Sequence, residues 1–259
     1  MTRVLSGAVL IAIAVAVVWF APRPVFFAVA FAVGLLAVSE LVALARASGL
    51  DVSITTAGFA TAVVIASSGV AGALETGLIT ALVSVAAVSL GMWRGGPAAL
   101  ASVSASLFPA LYIGLPISAM IGIRALSGPR GLFLLMLTVI VSDSMQYYSG
   151  RLFGRRPLAP MVSPKKTIEG AIGGFVFGTA LFAGVGGWWL PGMPVALRGL
   201  VGMTIVALGI AGDLFESMLK RSAGVKDSSA LIPGHGGILD RIDALLFAAP
   251  VYYVVLKYV

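Results

Sequence analysis

The chain alternates long apolar runs with short polar connections. Each run has about 17 to 25 residues, the length that an α-helix needs to cross the roughly 30 Å hydrocarbon core of a bilayer. They cover residues 4–20, 25–45, 54–70, 72–92, 101–123, 130–150, 168–190, 198–216 and 243–259. A backbone in lipid must satisfy its own hydrogen bonds, and the runs lack the alternation of barrel strands. The pattern predicts an all-α, polytopic integral membrane protein with about nine transmembrane helices, the fifth being weakest because Pro109 and Pro116 interrupt it.

The composition agrees with a membrane protein. Hydrophobic residues make up 59% and charged residues 10% of the 259 residues, and the mean hydropathy is +1.07. These values exclude an ordinary soluble core. The chain has no cysteine, which excludes disulfides and thiolate metal sites. Trp19 to Pro22 form a poor cleavage site, so we expect the first run to be a helix rather than a signal peptide.

Basic residues are unevenly shared between the two sides of this topology. Twelve of the 17 Lys and Arg residues fall on the side of the N-terminus: Arg3, Arg46, Arg94, Arg151, Arg155, Arg156, Lys165, Lys166, Lys220, Arg221, Lys226 and Arg241. The positive-inside rule then places the N-terminus and the loops 151–167 and 217–243 in the cytoplasm, and the C-terminus outside. We expect a multi-pass protein of the inner (cytoplasmic) membrane. Its basic loops would face the lipid bilayer surface, and nucleic acid is not an expected partner.

Polar residues concentrate in the C-terminal half of the chain. They form three islands, at residues 142–174, 212–217 and 217–243. Ionisable residues that gather in this way usually mark the working site of a membrane protein. We therefore expect a single transmembrane domain, in which residues 1–128 are mainly scaffold and residues 129–259 supply the catalytic helices and loops.

Two features inside the apolar runs leave alternatives open. Glu40 falls within the second run, where a carboxylate either has a function or lies close enough to the cytoplasmic end to reach water or pair with Arg46. Gly170, Gly174 and Gly178 recur at four-residue spacing, which lets a neighbouring helix approach closely. That helix belongs either to the same chain or to a second subunit.

The polar islands contain many carboxylates and many cations. The carboxylates are Asp143, Asp213, Glu216, Asp227, Asp240 and Asp243. Oxygen ligands of this kind suit Mg²⁺, and Ser217 follows Asp213 by one helical turn on the same face. The cations are Lys165, Lys166, Lys220, Arg221, Lys226 and Arg241. A metal beside several Lys and Arg residues is what a substrate rich in phosphate requires.

Simpler interpretations exist for several of these residues. The turn at 234–237 either forms an anion-binding nest of backbone N–H groups or carries His235 as a capping residue. Lys165 and Lys166 either bind substrate or anchor the chain at the membrane surface. Asp243 either acts in the site or forms an ion pair that holds the loop. The P-loop, HExxH and GxSxG motifs do not occur, so common soluble-enzyme chemistries lack support.

The 217–243 segment resembles the signature of the phosphatidate cytidylyltransferases (CDP-diacylglycerol synthases). About a dozen fixed positions match at the right spacing: Ser217, Lys220, Arg221, Lys226, Asp227, Ser229, Pro233, His235, Gly236, Gly237, Asp240, Arg241 and Asp243. Residues 163–170 (SPKKTIEG) and 212–217 (GDLFES) are similar to two further blocks of this family. The resemblance covers about residues 140–259.

The segment around Asp143 departs from the pattern of the family, which is closer to A-D-x-x-A-Y-F-x-G-R. Gln146 and Tyr148 differ, while Asp143, Gly150 and Arg151 are retained. We expect Asp143 and Arg151 to contribute to substrate binding.

The resemblance implies that CTP and phosphatidic acid become CDP-diacylglycerol and pyrophosphate at the cytoplasmic membrane face, in phospholipid biosynthesis. It also implies Mg²⁺, a second cation such as K⁺, a homodimer, and metal ligands at Asp213, Ser217 and Asp240. The lipid phosphate is itself the nucleophile, so we expect catalysis by positioning and charge neutralisation.

We expect catalytic roles for Asp213, Asp240, Lys220, Arg221 and Arg241, with Mg²⁺ on the two aspartates bridging the phosphates of CTP. Substrate contacts are expected from a larger group: Lys165, Lys166, Ser217, Lys226, Asp227, His235, Gly236, Gly237, Asp243, Asp143 and Arg151. Within it, Asp227 and Asp243 would orient the cations. Competing hypotheses are a cytidylyltransferase for another lipid phosphate, such as an archaeol-type ether lipid, and a non-enzymatic lipid-binding or transport protein.

Overall fold

A computed structural model describes residues 2–69, 73–93, 99–232, 234 and 236–259. Arg94, Pro233 and His235, which were named above, lie outside the described residues. The elements are, in chain order, α1 (Thr2–Phe20), α2 (Arg23–Ala47), α3 (Ile54–Ser67), α4 (Leu74–Met92), α5 (Ala99–Pro109), a π-helix (Ala110–Gly114), α6 (Leu115–Phe153), β1 (Pro157–Ala159), β2 (Ser163–Thr167), α7 (Ile168–Trp189), α8 (Val195–Ser222) and α9 (Leu239–Tyr258).

The predicted apolar runs lie mainly on helical residues. Within the described ranges, five helical stretches are long and apolar enough to cross a membrane: Arg23–Ala47, Leu74–Met92, Ala99–Phe153, Ile168–Trp189 and Val195–Ser222. This confirms the prediction of a helical, polytopic membrane protein. The crossing of the membrane by all nine runs stays a prediction.

The fifth and sixth runs form one helical stretch with two interruptions. Pro109 ends α5 and is followed by the π-helix Ala110–Gly114, which leads into α6. Pro116 follows the π-helix in the first turn of α6. It has no N–H group and its ring crowds the preceding turn, so the regular hydrogen-bond ladder widens there. Gly128 has φ 66° and ψ −166°, a conformation that glycine tolerates. This residue separates the two predicted runs.

The chain divides into two compact units. The first comprises residues 1–121 and 219–241, and the second comprises residues 122–218 and 242–259. In the first unit, α3 packs against α2, α4 and the π-helix. Its core contains small apolar side chains, which permit close helix contacts: Ala60, Val64, Ala81, Val85 and Ala110. The scaffold role of residues 1–128 and the single domain stay predictions.

The glycine stripe on α7 packs within the second unit. A Cβ atom on Gly170 would lie 2.6 Å from the carbonyl oxygen of Gln146, and one on Gly174 would lie 3.0 Å from that of Ser142. Gly178 likewise leaves no room for a side chain. The backbones of α6 and α7 therefore approach as closely as glycine permits. The helix that this stripe requires belongs to the same chain.

The expected loop at 151–167 contains a short hairpin. β1 and β2 are antiparallel, with Pro157 opposite Thr167 and Ala159 opposite Ser163. Lys165 and Lys166 thus lie on β2. Thr167 then caps α7, because its hydroxyl accepts from the Gly170 amide at 3.1 Å.

The expected loop at 217–243 is shorter than the hydropathy indicated. α8 continues to Ser222, and α9 begins at Leu239. Lys220 and Arg221 lie in the last turn of α8 and Asp240 lies in the first turn of α9. Cations at a helix C-terminus and anions at an N-terminus are favoured by the helix dipole. The charged residues therefore extend the helices beyond their apolar parts.

Candidate active site

The signature segment turns back on itself between α8 and α9. Gly224, Gly234 and Gly236 have φ values of 70°, 76° and 77°, which glycine adopts without strain. The amide of Ile232 donates to the carbonyl oxygen of Gly236 at 2.8 Å. The turn around His235 includes residues outside the described ranges, so the anion nest stays a prediction.

Asp240 is the centre of this loop. Lys220 Nζ donates to Asp240 Oδ1 at 2.6 Å, and these side chains are 12% and 7% exposed. Asp240 Oδ2 accepts from the Ser228 amide at 2.9 Å, the Ser228 hydroxyl at 2.8 Å and the Gly237 amide at 2.7 Å. One carboxylate thereby joins the end of α8, the loop and the start of α9.

The electrostatics keep Asp240 ionised. Burial by itself raises the pKa of Asp240, but the hydrogen bonds from Lys220 and from the Gly237 and Ser228 amides, together with the charge of Lys220, outweigh it. The net effect lowers the pKa to about 2. Hydrogen bonds to the charged form of a carboxylate favour that form. Asp240 is therefore an anion at physiological pH.

Glu40, on α2, binds the same loop through hydrogen bonds. The residue is 5% exposed, and four donor groups lie within hydrogen-bond distance of its carboxylate. Ser229 Oγ donates to Oε1 at 2.7 Å, and Ser228 Oγ lies 2.9 Å from Oε2, where its one proton serves either this oxygen or Asp240 Oδ2. The amides of Ile238 and Leu239 donate at 3.0 Å and 2.8 Å. These two amides begin α9, where a helix leaves N–H groups without internal partners.

The simpler interpretation of Glu40 was wrong. Arg46 directs its guanidinium to the carbonyl oxygen of Val52, with N–O distances of 2.9 Å and 2.8 Å. Glu40 is buried and bonded to protein groups rather than to water or to Arg46.

Gly236 and Gly237 leave room for these two carboxylates. A Cβ atom on Gly237 would lie 2.5 Å from Glu40 Cδ, and one on Gly236 would lie 3.1 Å from Asp240 Cγ. Ordinary carbon contacts are about 3.5–4.0 Å. Only glycine permits this approach, which gives the two signature glycines a structural role in addition to any contact with substrate.

A second polar group lies in the second unit. Lys166 Nζ donates to Asp213 Oδ2, and these side chains are 21% and 29% exposed. Ser217 Oγ lies 3.4 Å from Asp213 Oδ1, one turn later on α8, as the spacing predicted. Asp143 of α6 interacts electrostatically with both Lys166 and Asp213, and Gln146 Nε2 donates to it at 3.0 Å. This unit thus collects two carboxylates, a hydroxyl and a lysine.

The other predicted residues have more varied surroundings. Lys165, Lys226, Asp227 and Arg241 are exposed, and Asp243 is half-buried. Two exposed arginines each bond a neighbouring oxygen: Arg221 donates to the Val225 carbonyl at 3.1 Å and Arg151 to the Tyr147 hydroxyl at 3.4 Å. The membrane-anchor interpretation therefore stays open for Lys165, whereas Lys166 is paired with Asp213.

The predicted ligands fall into separate groups. Asp240 belongs to the first unit, and Asp213 and Ser217 to the second, so their combination in one metal site stays a prediction. Ser228 was missed because the signature positions include its neighbour Ser229 and not Ser228 itself. The signal for Glu40 was its charge within an apolar run, but its partners lie almost 200 positions away.

Comparisons with known proteins agree with the signature. A family model described as the cytidylyltransferase family matches residues 1–259. The chain is 38% identical over 153 residues to a phosphatidate cytidylyltransferase of Aquifex aeolicus, covering 58% of the chain and 56% of the relative. Identity is 49% over 131 residues with that of Haemophilus influenzae (48% and 45% covered) and 40% over 161 residues with that of Thermotoga maritima (60% of each). The matched regions span about half the length of these relatives.

Proposed function

Because this chain belongs to the cytidylyltransferase family, we propose that it transfers CMP from CTP to phosphatidic acid and releases pyrophosphate. The observation that carries the proposal is the Lys220–Asp240 pair, with its loop, inside the signature segment. Relatives that match this chain are named for the same reaction. The product would be CDP-diacylglycerol, an intermediate of phospholipid biosynthesis.

The reaction depends on neutralising the negative charges of the two reactants, and it does not need a side chain as the nucleophile. An oxygen of the lipid phosphate attacks the α-phosphorus of CTP, a new P–O bond forms, and the bond to the bridging oxygen of the β-phosphate breaks. Both reactants are anions, so their approach is unfavourable until cations neutralise them. Lys166 and Lys220 are held in fixed positions by Asp213 and Asp240. We assign them to the phosphates, together with the more exposed Arg221, Arg241 and Lys165.

The oxygen groups of the second unit fit a hard divalent cation. Asp213 and Ser217 offer a carboxylate and a hydroxyl one turn apart, and Asp143 adds charge nearby. Among the described residues, no group of three or more His, Asp or Glu side chains is arranged to hold a metal ion. Mg²⁺ commonly takes one or two carboxylates and completes its shell with water and substrate phosphates. Bound there, Mg²⁺ would supply charge neutralisation for the phosphates.

Asp240 fits a direct metal contact less well. Its Oδ2 atom accepts from two backbone amides and lies beside the Ser228 hydroxyl, which leaves Oδ1 beside Lys220 as the oxygen available to a cation. The K⁺ ion implied by the family resemblance, and the sharing of one metal by Asp213 and Asp240, remain part of the proposal.

We propose the inner membrane, nine crossings, a cytoplasmic N-terminus and an external C-terminus. The support is the concentration of Lys and Arg on one side of the apolar runs. A reporter fused after Val259 should report the external side, and a cytoplasmic signal would contradict this topology. A homodimer rests on the family resemblance, because the glycine stripe of α7 is covered within the chain.

The decisive experiment is an assay with radiolabelled CTP, phosphatidic acid and Mg²⁺ on folded protein purified in detergent. We expect a labelled CDP-lipid and pyrophosphate in equal amounts. Parallel reactions with an archaeol-type ether-lipid phosphate, and with no lipid, define the acceptor. Folded protein that forms no CDP-lipid from any acceptor would overturn the proposal.

A further inference from the structure

Glu40 is a carboxylate buried in the otherwise apolar helix α2. An 18-residue window of this helix has a mean hydropathy of 2.4, and Glu40 is 5% exposed. Burying an ionised carboxylate is costly unless it is paired or hydrogen-bonded. Here two hydroxyls and two backbone amides satisfy it. All four donors belong to one short segment of the chain, at residues 228–239.

The bonds to Glu40 reach Asp240 through one side chain. Ser228 Oγ lies 2.9 Å from Glu40 Oε2 and 2.8 Å from Asp240 Oδ2. The Ser228 hydroxyl therefore lies between the two carboxylates, and its single proton serves one of them at a time. A displacement of Glu40 would move Ser228. The amide and the hydroxyl of Ser228 are two of the three donor groups beside Asp240 Oδ2, so they would move as well.

Glu40 also fixes where α9 begins. The amides of Ile238 and Leu239 point to its two oxygens, so the first helical turn, which carries Asp240, has a partner on a distant helix. Between Ser222 and Leu239 the loop has no other helix or strand of its own among the described residues. Its shape therefore depends on these bonds, on the bonds to Asp240, on the Ile232–Gly236 bond and on glycine turns.

We infer that Glu40 is a positioning residue for the reaction. It holds the signature loop against α2 and orients Asp240, and through Asp240 it orients the ammonium group of Lys220. The N-terminal part of the chain then contributes directly to the shape of the active site. This inference rests on the proposed function for its kinetic part, but its structural part can be measured without turnover.

The test uses the full-length protein with Glu40→Gln, and with Glu75→Gln as the matched control. Glu75 is an exposed glutamate in the first turn of α4, in the same unit. Glutamine keeps the size of the side chain but places an NH₂ group against donors that need an acceptor. Hydrogen exchange of peptides covering 226–241 reports the order of the loop, and kinetics report its effect.

In Glu40→Gln we expect faster amide exchange in 226–241 with unchanged exchange elsewhere. We expect the KM for CTP to rise and CDP-lipid formation at a fixed CTP concentration to fall about tenfold to hundredfold, the range of activity lost when residues that orient metal ligands are removed. The KM for phosphatidic acid should stay near that of the parent, which a general loss of stability would not produce. Glu75→Gln should match the parent in every measurement.

Parent-like exchange in 226–241 and a parent-like KM for CTP in Glu40→Gln would overturn the inference. Equal increases in both KM values would also overturn it. If Glu40→Gln fails to fold, Ser229→Ala decides, because it removes one donor to Glu40; parent-like loop exchange there overturns the inference. An inactive parent would refute the proposed function, while the exchange data would still test the role of Glu40.

Discussion

Gly237→Ala tests the close approach on which the signature loop depends. Gly237 does not have a positive φ, so alanine is compatible with its backbone and the substitution probes space alone. The new Cβ would lie 2.5 Å from Glu40 Cδ, so a neighbour must move by about 1 Å to reach an ordinary contact. That movement also disturbs the bond from the Gly237 amide to Asp240.

The two effects have known sizes. Overpacking a well-packed site costs about 1–3 kcal/mol, and a hydrogen bond to a charged group is worth about 1.5–3 kcal/mol. With partial loss of that bond, we expect the free energy of unfolding to fall by about 2–5 kcal/mol. For a chain of this size the unfolding temperature should fall by about 4–20 °C.

The assay is thermal unfolding in detergent, paired with hydrogen exchange of the 226–241 peptides and the CDP-lipid assay. Gly199→Ala is the matched control, because a Cβ there has nothing within 4 Å. Gly199 lies inside α8, where alanine should be neutral or stabilise by up to about 1 kcal/mol. If Gly237→Ala unfolds at the same temperature as the parent and keeps its activity, the packing argument is refuted.

Three further predictions concern Asp240 and the glycine stripe. Asp240→Asn should abolish CDP-lipid formation while the protein still folds, since it weakens the pair with Lys220; near-normal turnover would contradict the catalytic role. In the folded protein the pKa of Asp240 is lowered from 3.8 to about 2, so its ionisation stabilises the fold above pH 3.8. This contribution should disappear as the pH falls through about 2. The stabilities of the parent and of Asp240→Asn, measured by acid unfolding, should therefore converge near that pH. Gly174→Leu should lower the unfolding temperature, whereas Gly184→Leu on the open face of α7 should not; a changed oligomeric state with unchanged stability would instead assign the stripe to a subunit contact.

The helices could be predicted from the sequence because a lipid environment excludes irregular backbone and open strands in a long apolar run. A backbone in hydrocarbon has to bond to itself, so a long apolar run is already a helix. The ends of α8 and α9 were harder, because the predicted apolar runs end at residue 216 and begin again at residue 243. Lys220 on α8 and Asp240 on α9 lie outside these runs but are helical. The hairpin at 157–167 was missed because it is short, polar and interrupted by Pro157 and Pro160.

The chemistry of the site was visible in residue types and spacing, but its pairings were not. The relation of Ser217 to Asp213 follows from one helical turn. The bonds from Glu40 to the 228–239 segment join positions almost 200 residues apart, and no local pattern encodes such contacts. The sequence presents Ser228 as an ordinary loop serine, and its position between Glu40 and Asp240 is visible only in the structure.

The two ion pairs determine how the resting protein responds to charged molecules around it. Lys220–Asp240 and Lys166–Asp213 each hold opposite charges together, so each pair is locally neutral. An anion that binds the lysine would break the ion pair and free the carboxylate to bind a cation. A cation that binds the carboxylate would likewise free the lysine to bind an anion. We therefore expect an anion and a cation to bind cooperatively at each pair, and by linkage each would raise the affinity of the other by the same factor. The two pairs would then favour a complex of metal and phosphate over either ion alone.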